Sequence, residues 1–257
     1  MELGVFLVGL LAGVMSGLFG IGGGIVMVPT LIAFFGMHML DANAASLGAM
    51  LLPVGVFGVV NYYKAGFINI KESLCISLGL FAGSFLGAEL ALNINIGLLV
   101  KLYAIFLLYV ALSYFNVPGL IFKRKKEDFF VVKDDEPHAY WMFILLGLFA
   151  GVIAGMFGKG GGVIIVPVLI SLFHYDPKTA TATSLAALQL PVGLPSVIVY
   201  AEQGHLNLIY AELMAVGIVA GTFFGSKLAL KLSAPFFKKI YALFLLGVAL
   251  YMMIKYI

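Results

Sequence analysis

Charged residues are scarce in this chain, and their scarcity excludes a water-soluble protein. Only 11% of the 257 residues are charged and 63% are hydrophobic, whereas soluble domains average roughly 25% charged residues. The mean hydropathy of +1.12 is typical of an integral membrane protein. The start of the chain, MELGVFLVGL, lacks the basic region of a cleaved signal peptide, so we interpret it as a retained first helix.

Residues that carry chemistry are also few. The single cysteine, Cys75, cannot by itself form a disulfide or a thiolate metal site. The four histidines fall in predicted loops or at segment ends, and none has a partner at metal-ligand spacing. GMFGKGGG at 155–162 does not fit the phosphate loop G-x-x-x-x-G-K-[ST], which argues against a nucleotide-driven pump. We therefore predict no metal, no cofactor, no enzymatic activity and no nucleic-acid partner.

Glycine, in contrast, is abundant and is arranged as a repeat. When the chain is shifted by 138 residues it matches itself without a gap. GLFGIGGG at 17–24 then falls on GMFGKGGG at 155–162, and SLGAMLLPVG at 46–55 falls on SLAALQLPVG at 184–193. Such a collinear series indicates one helical unit used twice. The predicted units are a first repeat at 1–121, a linker at 122–138 and a second repeat at 139–257.

Each repeat contains about five apolar segments, which predicts an all-α polytopic membrane protein. A helix needs about 20 apolar residues to cross the bilayer. The first two segments of each half are shorter, and a glycine cluster joins them. They form either two thin spans or a re-entrant hairpin that enters and returns on one side. The predicted segments are 3–19, 21–36, 42–63, 73–92 and 98–115 in the first half, and 140–157, 160–173, 179–201, 208–230 and 237–255 in the second.

The charge distribution predicts that the two repeats are inverted relative to each other. Two thin spans and a re-entrant hairpin both give each half an odd number of membrane crossings. The second half must therefore have the opposite orientation in the membrane. Lysine and arginine concentrate in one set of loops, including the run KRKK at 123–126, and cytoplasmic loops are enriched in these residues. The 122–138 linker is therefore predicted to be cytoplasmic, and both termini extracytoplasmic, in a cell (inner) membrane.

Three consecutive glycines in each repeat, at 22–24 and 160–162, predict a broken helix and a ligand site. A helix that restarts after a break presents unpaired N–H groups and the positive end of its dipole, which together bind an anion. Inverted repeats with helices broken near the midplane are typical of secondary transporters. More widely spaced glycines are interpreted as helix-packing contacts; these are Gly79, Gly83, Gly87, Gly217, Gly221 and Gly225.

Polar side chains on the third segments are predicted to lie at the same depth. Ser46 and Ser184 are repeat counterparts, and hydroxyl donors suit an oxyanion. The alternative is that each serine bonds back to a carbonyl of its own helix. Gln189 stands where the first repeat has Leu51, and we predict that it lines a cavity.

Lys159 distinguishes the second glycine cluster from the first, which has Ile21 at the matching position. If the hairpin spans the membrane, Lys159 is an ordinary loop charge at the outer surface. If the hairpin is re-entrant, Lys159 lies near the midplane and the bound anion is its natural partner. The predicted substrate-binding residues are Gly22, Gly23, Gly24, Ser46, Lys159, Gly160, Gly161, Gly162, Ser184 and Gln189.

The pattern GxxxGxxGxGGGxxxxP, at 13–29 and again at 151–167, resembles the signature of the sulfite exporter TauE/SafE family. The resemblance covers almost the whole chain. It implies a cell-membrane transporter of sulfite or related organosulfur anions such as sulfonates. It implies no role for Lys159, whose part in binding is inferred from the sequence alone.

The predicted function is a secondary transporter that works by alternating access, and the membrane potential favours export. The potential contributes roughly 2.3 kcal/mol per charge per 100 mV, so an interior-negative cell expels anions without a coupling ion. The predicted partners are a small anionic substrate and the lipid bilayer. An anion channel and a non-transporting assembly or scaffold protein stay open as alternatives, and so do proton coupling and a homodimer.

Overall fold

The computed structural model describes residues 1–19, 23–52, 56–114, 139–158, 161–229, 243 and 245–254. All regular structure in these ranges is helical, as the sequence predicts. The predicted linker at 122–138 lies outside the described residues, and so do three of the predicted site residues, Gly22, Lys159 and Gly160.

The helices follow the predicted apolar segments, with one difference in each half. The first half contains α1 (Glu2–Phe19), α2 (Gly24–Phe35), α3 (Met39–Ala49), α4 (Val56–Lys64), α5 (Ile70–Asn93) and α6 (Ile96–Tyr114). The second half contains α7 (Tyr140–Phe157), α8 (Gly162–Ser171), α9 (Pro177–Ala187), α10 (Leu194–Glu202), α11 (Leu208–Ala229) and α12 (Leu245–Ile254). Each third segment is thus two short helices, because a proline, which lacks the N–H that continues a helix, falls between them.

The helices that follow the glycine clusters are short. α2 has 12 residues and α8 has 10, which at 1.5 Å per residue reach roughly 18 and 15 Å. The hydrocarbon core of a bilayer is about 30 Å thick. Neither helix can cross it alone, whereas α5 and α7 have the length and hydropathy of a membrane span.

The outward faces of the long helices are apolar. On α1, Leu3, Leu7 and Leu11 are 72%, 50% and 58% exposed, and their four-residue spacing forms a continuous stripe. Leu145 and Phe149, which are also exposed and four residues apart, belong to a second apolar stripe on α7. Exposed apolar faces of this extent need a non-aqueous cover, which the lipid bilayer provides for a membrane protein.

Helix α5 of the first half packs against α7, the first helix of the second half. A Cβ atom on Gly79 of α5 would meet the backbone of Ile144 and Leu148 in α7, and one on Gly87 would meet the backbone of Val152. Contacts that advance in the same direction along both helices mean that α5 and α7 run parallel. Glycine allows this close approach because it has no side chain.

The same packing recurs between α1 and α11 with the halves exchanged. Gly83 of α5 lies against the carbonyl of Leu148, and its counterpart Gly221 of α11 lies against the carbonyl of Leu10. Both members of one pair are 138 positions from the members of the other. The predicted packing role is confirmed for Gly79, Gly83, Gly87, Gly217 and Gly221; the surroundings of Gly225 lie outside the described residues.

Carboxylate side chains in the first turns of α3 and α5 contact residues of the second half. Asp41, in the first turn of α3, contacts His205, which precedes α11. Glu72, in the first turn of α5, is hydrogen-bonded to Tyr175, which lies between α8 and α9. Burial, together with the Glu72 carboxylate, raises the pKa of the Tyr175 hydroxyl, so this hydroxyl stays protonated and donates to the carboxylate.

Candidate functional site

Gly158, in the second glycine cluster, is the residue that directly follows the end of α7. Gly158 has φ +67° and its N–H bonds to the carbonyl of Ala154, a common way for a helix to end. A Cβ on Gly158 would lie 2.6 Å from the Cα of Asn43 and 2.9 Å from Cγ2 of Val28. The conformation and the space therefore both require glycine, and α2 and α3 of the first half meet the break in the second half.

The carbonyl groups at the end of α7 receive hydrogen bonds from buried side chains. A helix leaves its last carbonyls without partners in the helix itself. The donors are Tyr200 Oη to Gly155 O at 2.8 Å, Asn43 Nδ2 to Met156 O at 2.7 Å, and Ser46 Oγ to Gly158 O at 2.8 Å. The negative end of α7 is thus neutralised by three donors, two of which come from the first half.

At the positive end of α8, the cap residue Gly161 provides no side-chain hydrogen-bond acceptor. Gly161 precedes the helix with φ −62° and ψ −8°, and glycine has no side chain that could accept from the first turn. The N–H groups of Ile164 and Ile165 bond to the Gly161 carbonyl, which leaves those of Gly162 and Val163 without an acceptor in the helix. Gly23 stands in the same position before α2, so the described glycines of each predicted triplet lie at the start of a helix.

A cavity of about 40 Å³ adjoins this break. A buried water needs roughly 10–15 Å³ on the same scale, so the cavity accommodates a few water-sized groups. It lies between the second glycine cluster, the interruption that separates α9 from α10, and the end of α3. Its walls are formed by Leu47, Met50, Leu80, Ser84, Ala154, Gly161, Leu188, Leu190, Val192 and Gly193.

The two predicted serines are both buried near the second break. Ser184 Oγ lies 3.4 Å from the position that a Cβ on Gly162 would occupy, so this hydroxyl adjoins the first turn of α8. Ser46 makes a bond that neither sequence-based hypothesis included. Its hydroxyl donates to a carbonyl of the other half, rather than to its own helix.

Gln189 lies beside the cavity, between two residues that line it, but is not itself part of the wall. Its Nε2 donates to the carbonyl of Leu185 at 3.1 Å. Its Oε1 is buried and has no hydrogen-bond partner within the described ranges. Its predicted role in substrate binding stays a prediction.

The glycines of the first cluster make a matching contact. A Cβ on Gly23 would lie 3.1 Å from Cβ of Ala12, and one on Gly161 would lie 3.3 Å from Cβ of Ala150. Ala12 and Ala150 are repeat counterparts, so each cluster packs on the first helix of its own half. Gly24 is buried as the first residue of α2.

Two residues of this site were missed by sequence reasoning. Tyr200 and Ser84 lie on predicted helices, where an isolated hydroxyl carries no distinctive pattern. A signal for Ser84 does exist in the sequence, because Ser73, Ser77 and Ser84 share one face of a helix. That face meets the second half, where these hydroxyls find carbonyl partners.

The chain is similar over nearly its whole length to known membrane proteins. A family model described as Sulfite exporter TauE/SafE matches residues 5–252. A probable membrane transporter protein of Bacillus subtilis (strain 168), YunE, is 30% identical over 234 residues, which cover 86% of this chain and 84% of the relative. A probable membrane transporter protein of Methanocaldococcus jannaschii is 30% identical over 242 residues, covering 89% and 86%. No solved structure matches the chain.

Proposed function

We propose that this chain, which belongs to the sulfite exporter TauE/SafE family, exports sulfite or a related organosulfur oxyanion by alternating access. Membership of the family makes it a multi-pass membrane transporter. We propose four further properties: the substrate class, the direction of transport, a location in the inner membrane, and extracytoplasmic termini. The substrate would bind where the second glycine cluster, α3 and the α9–α10 interruption meet.

The polarity of the second break is the observation that carries the proposal. Carbonyl groups favour cations and N–H groups favour anions. Around Gly158 three carbonyls accept bonds from Tyr200, Asn43 and Ser46, whereas the cap residue Gly161 has no side chain that could accept from the N–H groups at the start of α8. This asymmetry supports an anion over a cation as the ligand.

The size and composition of the adjoining cavity support a small oxyanion. Its volume of about 40 Å³ suits a compact ion better than a large organic molecule. Gly161 forms part of its wall, and Ser184 adjoins the first turn of α8. Hydroxyl and backbone N–H donors are the groups that bind oxyanions without a permanent charge.

The packing of the long helices supports the inverted arrangement. In a chain whose segments alternate in direction, the first and fourth segments of one half run antiparallel. α5, the fourth segment of the first half, runs parallel to α7, the first segment of the second half. This direction is the one that inverted halves require, and inverted halves are the usual frame for alternating access.

The direction of transport follows from energetics. An interior-negative membrane potential contributes roughly 2.3 kcal/mol per charge per 100 mV to the expulsion of an anion. A dianion is expelled twice as strongly. Export therefore needs no coupling ion, and exchange for entering protons would add to a driving force that already favours it.

Counterflow in vesicles that contain the purified protein tests the proposal. Preloaded unlabelled sulfite should accelerate the entry of labelled sulfite, because a carrier returns loaded faster than empty. Sulfate, thiosulfate, sulfoacetate and taurine are compared in the same assay and in a thermal-shift screen. A bound ligand raises the free energy of unfolding by RT ln(1 + [L]/Kd).

The alternatives give different results in the same experiment. Entry of label without acceleration by preloaded anion would indicate a channel. No flux and no thermal stabilisation with any of the anions would indicate a scaffold or assembly protein. Acceleration by one of the other anions but not by sulfite would retain the transporter and replace the substrate.

A further inference from the structure

Hydroxyl groups on α5 bond to the interrupted third segment of the second half. Ser77 Oγ lies 2.8 Å from the carbonyl oxygen of Ala187. Ser84 Oγ lies 2.7 Å from that of Val192, which is closer than the 3.0 Å to the carbonyl oxygen of Phe81 in its own helix. A bond in the reverse direction joins Ser196 Oγ to the Ser84 carbonyl at 2.7 Å. These contacts cross between the halves of the molecule, and they lie on both sides of the α9–α10 interruption.

The Ser77 hydroxyl bonds to the carbonyl that Pro191 leaves without its helical N–H partner. In a continuous helix the N–H four residues after Ala187 would bond to its carbonyl, but that residue is Pro191, which has no N–H. A carbonyl without a partner is strongly unfavourable in a membrane interior. The Ser77 hydroxyl also lies 2.8 Å from Ser73 O, but that carbonyl has a helical N–H partner and Ala187 O does not.

The first half lacks the equivalent bonds within its described residues. The counterpart of Ser77 on α11 is Ala215, which has no hydroxyl, and the counterpart of Ser84 is Thr222. Thr222 Oγ1 donates to Ile218 O, in its own helix, at 2.7 Å. The two halves share a sequence pattern, and within the described residues the bonds from hydroxyl groups of one half to an interruption in the other are those made by Ser77 and Ser84.

We propose that Ser77 and Ser84 are positioning residues that fix the α9–α10 interruption at the wall of the substrate cavity. Ser84, Val192 and Gly193 all line that cavity together with Gly161. The bond from Ser84 to the Val192 carbonyl holds the interruption against α5, and Leu80 of the same helix adjoins Gly161 at the start of α8. The link to substrate rests on the proposed function, whereas the anchoring of the interruption does not.

Amide hydrogen exchange of the full-length protein, without substrate, tests the anchoring. Ser77→Ala and Ser84→Ala should each raise the exchange rate in segment 188–194 at least threefold, because the interruption opens more often once a bond is lost. Ser84→Cys keeps the size but donates weakly and should have an intermediate effect. Thr222→Val is the matched control and should leave the exchange of this segment unchanged.

Transport kinetics with sulfite test the positioning role. Ser84→Ala should raise the apparent KM at least threefold and change the maximal rate by less than twofold, because the site is displaced while the amount of active protein is preserved. A general loss of stability would lower the maximal rate and leave KM unchanged. Thr222→Val should change neither value.

The outcomes separate this proposal from the proposed function. Unchanged exchange in segment 188–194 in both alanine variants would overturn the anchoring. Raised exchange with an unaltered KM, or an equal KM effect of Thr222→Val, would overturn the positioning role. Absence of sulfite counterflow in the wild-type protein would instead refute the proposed function, and the exchange measurements would still decide the anchoring.

Discussion

Oδ1 of Asp41 lies 2.7 Å from Nδ1 of His205, although 164 positions separate the two residues. Asp41 belongs to the first half and precedes most of α3, while His205 belongs to the second half and precedes α11. A contact of this length requires both residues to lie on the same side of the membrane. The predicted topology gives the extracytoplasmic side to both loops, so the contact agrees with inverted repeats.

Thiol labelling of intact cells checks this topology. Asp41→Cys and His205→Cys, each in a Cys75→Ala background, should react with a membrane-impermeant maleimide added outside, since both native side chains are about one-third exposed. Lys71→Cys, at the start of α5, is the control and should react only after the membrane is permeabilised. Labelling of position 41 or 205 only after permeabilisation would contradict the proposed orientation.

The glycines between parallel helices should be intolerant of even a methyl group. Gly83→Ala and Gly221→Ala each place a Cβ against a backbone carbonyl of the partner helix, and such overpacking typically costs about 1–3 kcal/mol. For a chain of this size the melting temperature should fall by roughly 2–10 °C. Gly247→Ala serves as the control, because no atom of another helix in the described ranges lies within 4 Å of its Cβ position. Equal melting temperatures for the three variants would refute the packing role.

The glycines that open α2 and α8 should matter for transport more than for insertion. We expect Gly23→Val and Gly161→Val to abolish sulfite counterflow while the proteins still reach the membrane. Gly161→Ala should retain part of the activity, since its Cβ would meet the terminal methyl Cδ2 of Leu80 at 2.6 Å, which can move. Normal transport by either valine variant would show that the corresponding glycine cluster does not bind the anion.

Lys159 is predicted to bind the anion if the second hairpin is re-entrant. Lys159→Ile restores the residue of the first repeat and removes the ammonium group. Affinity for the anion, measured by thermal shift, should fall tenfold or more, because a charge-assisted hydrogen bond contributes roughly 1.5–3 kcal/mol. Lys159→Arg should keep part of the affinity. Wild-type binding and transport by Lys159→Ile would favour the outer-loop hypothesis instead.

The helix positions were largely predictable, because each apolar run is bounded by glycine, proline or charge. α7 begins and ends where the sequence predicts, at Tyr140 and Phe157. The third segments were less well predicted, since the prolines at 53 and 191 lie inside apolar runs that look continuous. A proline removes one hydrogen bond, but whether the chain bends or unwinds there depends on partners such as Ser77, which are distant in sequence.

The contacts between halves could not be predicted from local patterns. The sequence places Ser46 on a buried helix face, but nothing near it identifies the Gly158 carbonyl, 112 positions away, as the acceptor. The repeat shows that the halves are alike without showing how they meet. α5 packs on α7 of the second half, and α11 packs on α1 of the first half, because their glycine faces match in shape. Only the three-dimensional structure reveals this match.

The pairing of α1 with α11 has a consequence for synthesis of the protein. About 190 residues separate the end of α1 from the start of α11, and a ribosome that adds roughly 5–20 residues per second needs about 10–40 s to cover them. Gly9 and Gly13 lie against the backbone of α11 in the finished protein. During that time they are in the membrane without this partner helix. Until α11 is made, lipid or the insertion machinery has to occupy the groove on α1, and the first half alone cannot complete its own packing.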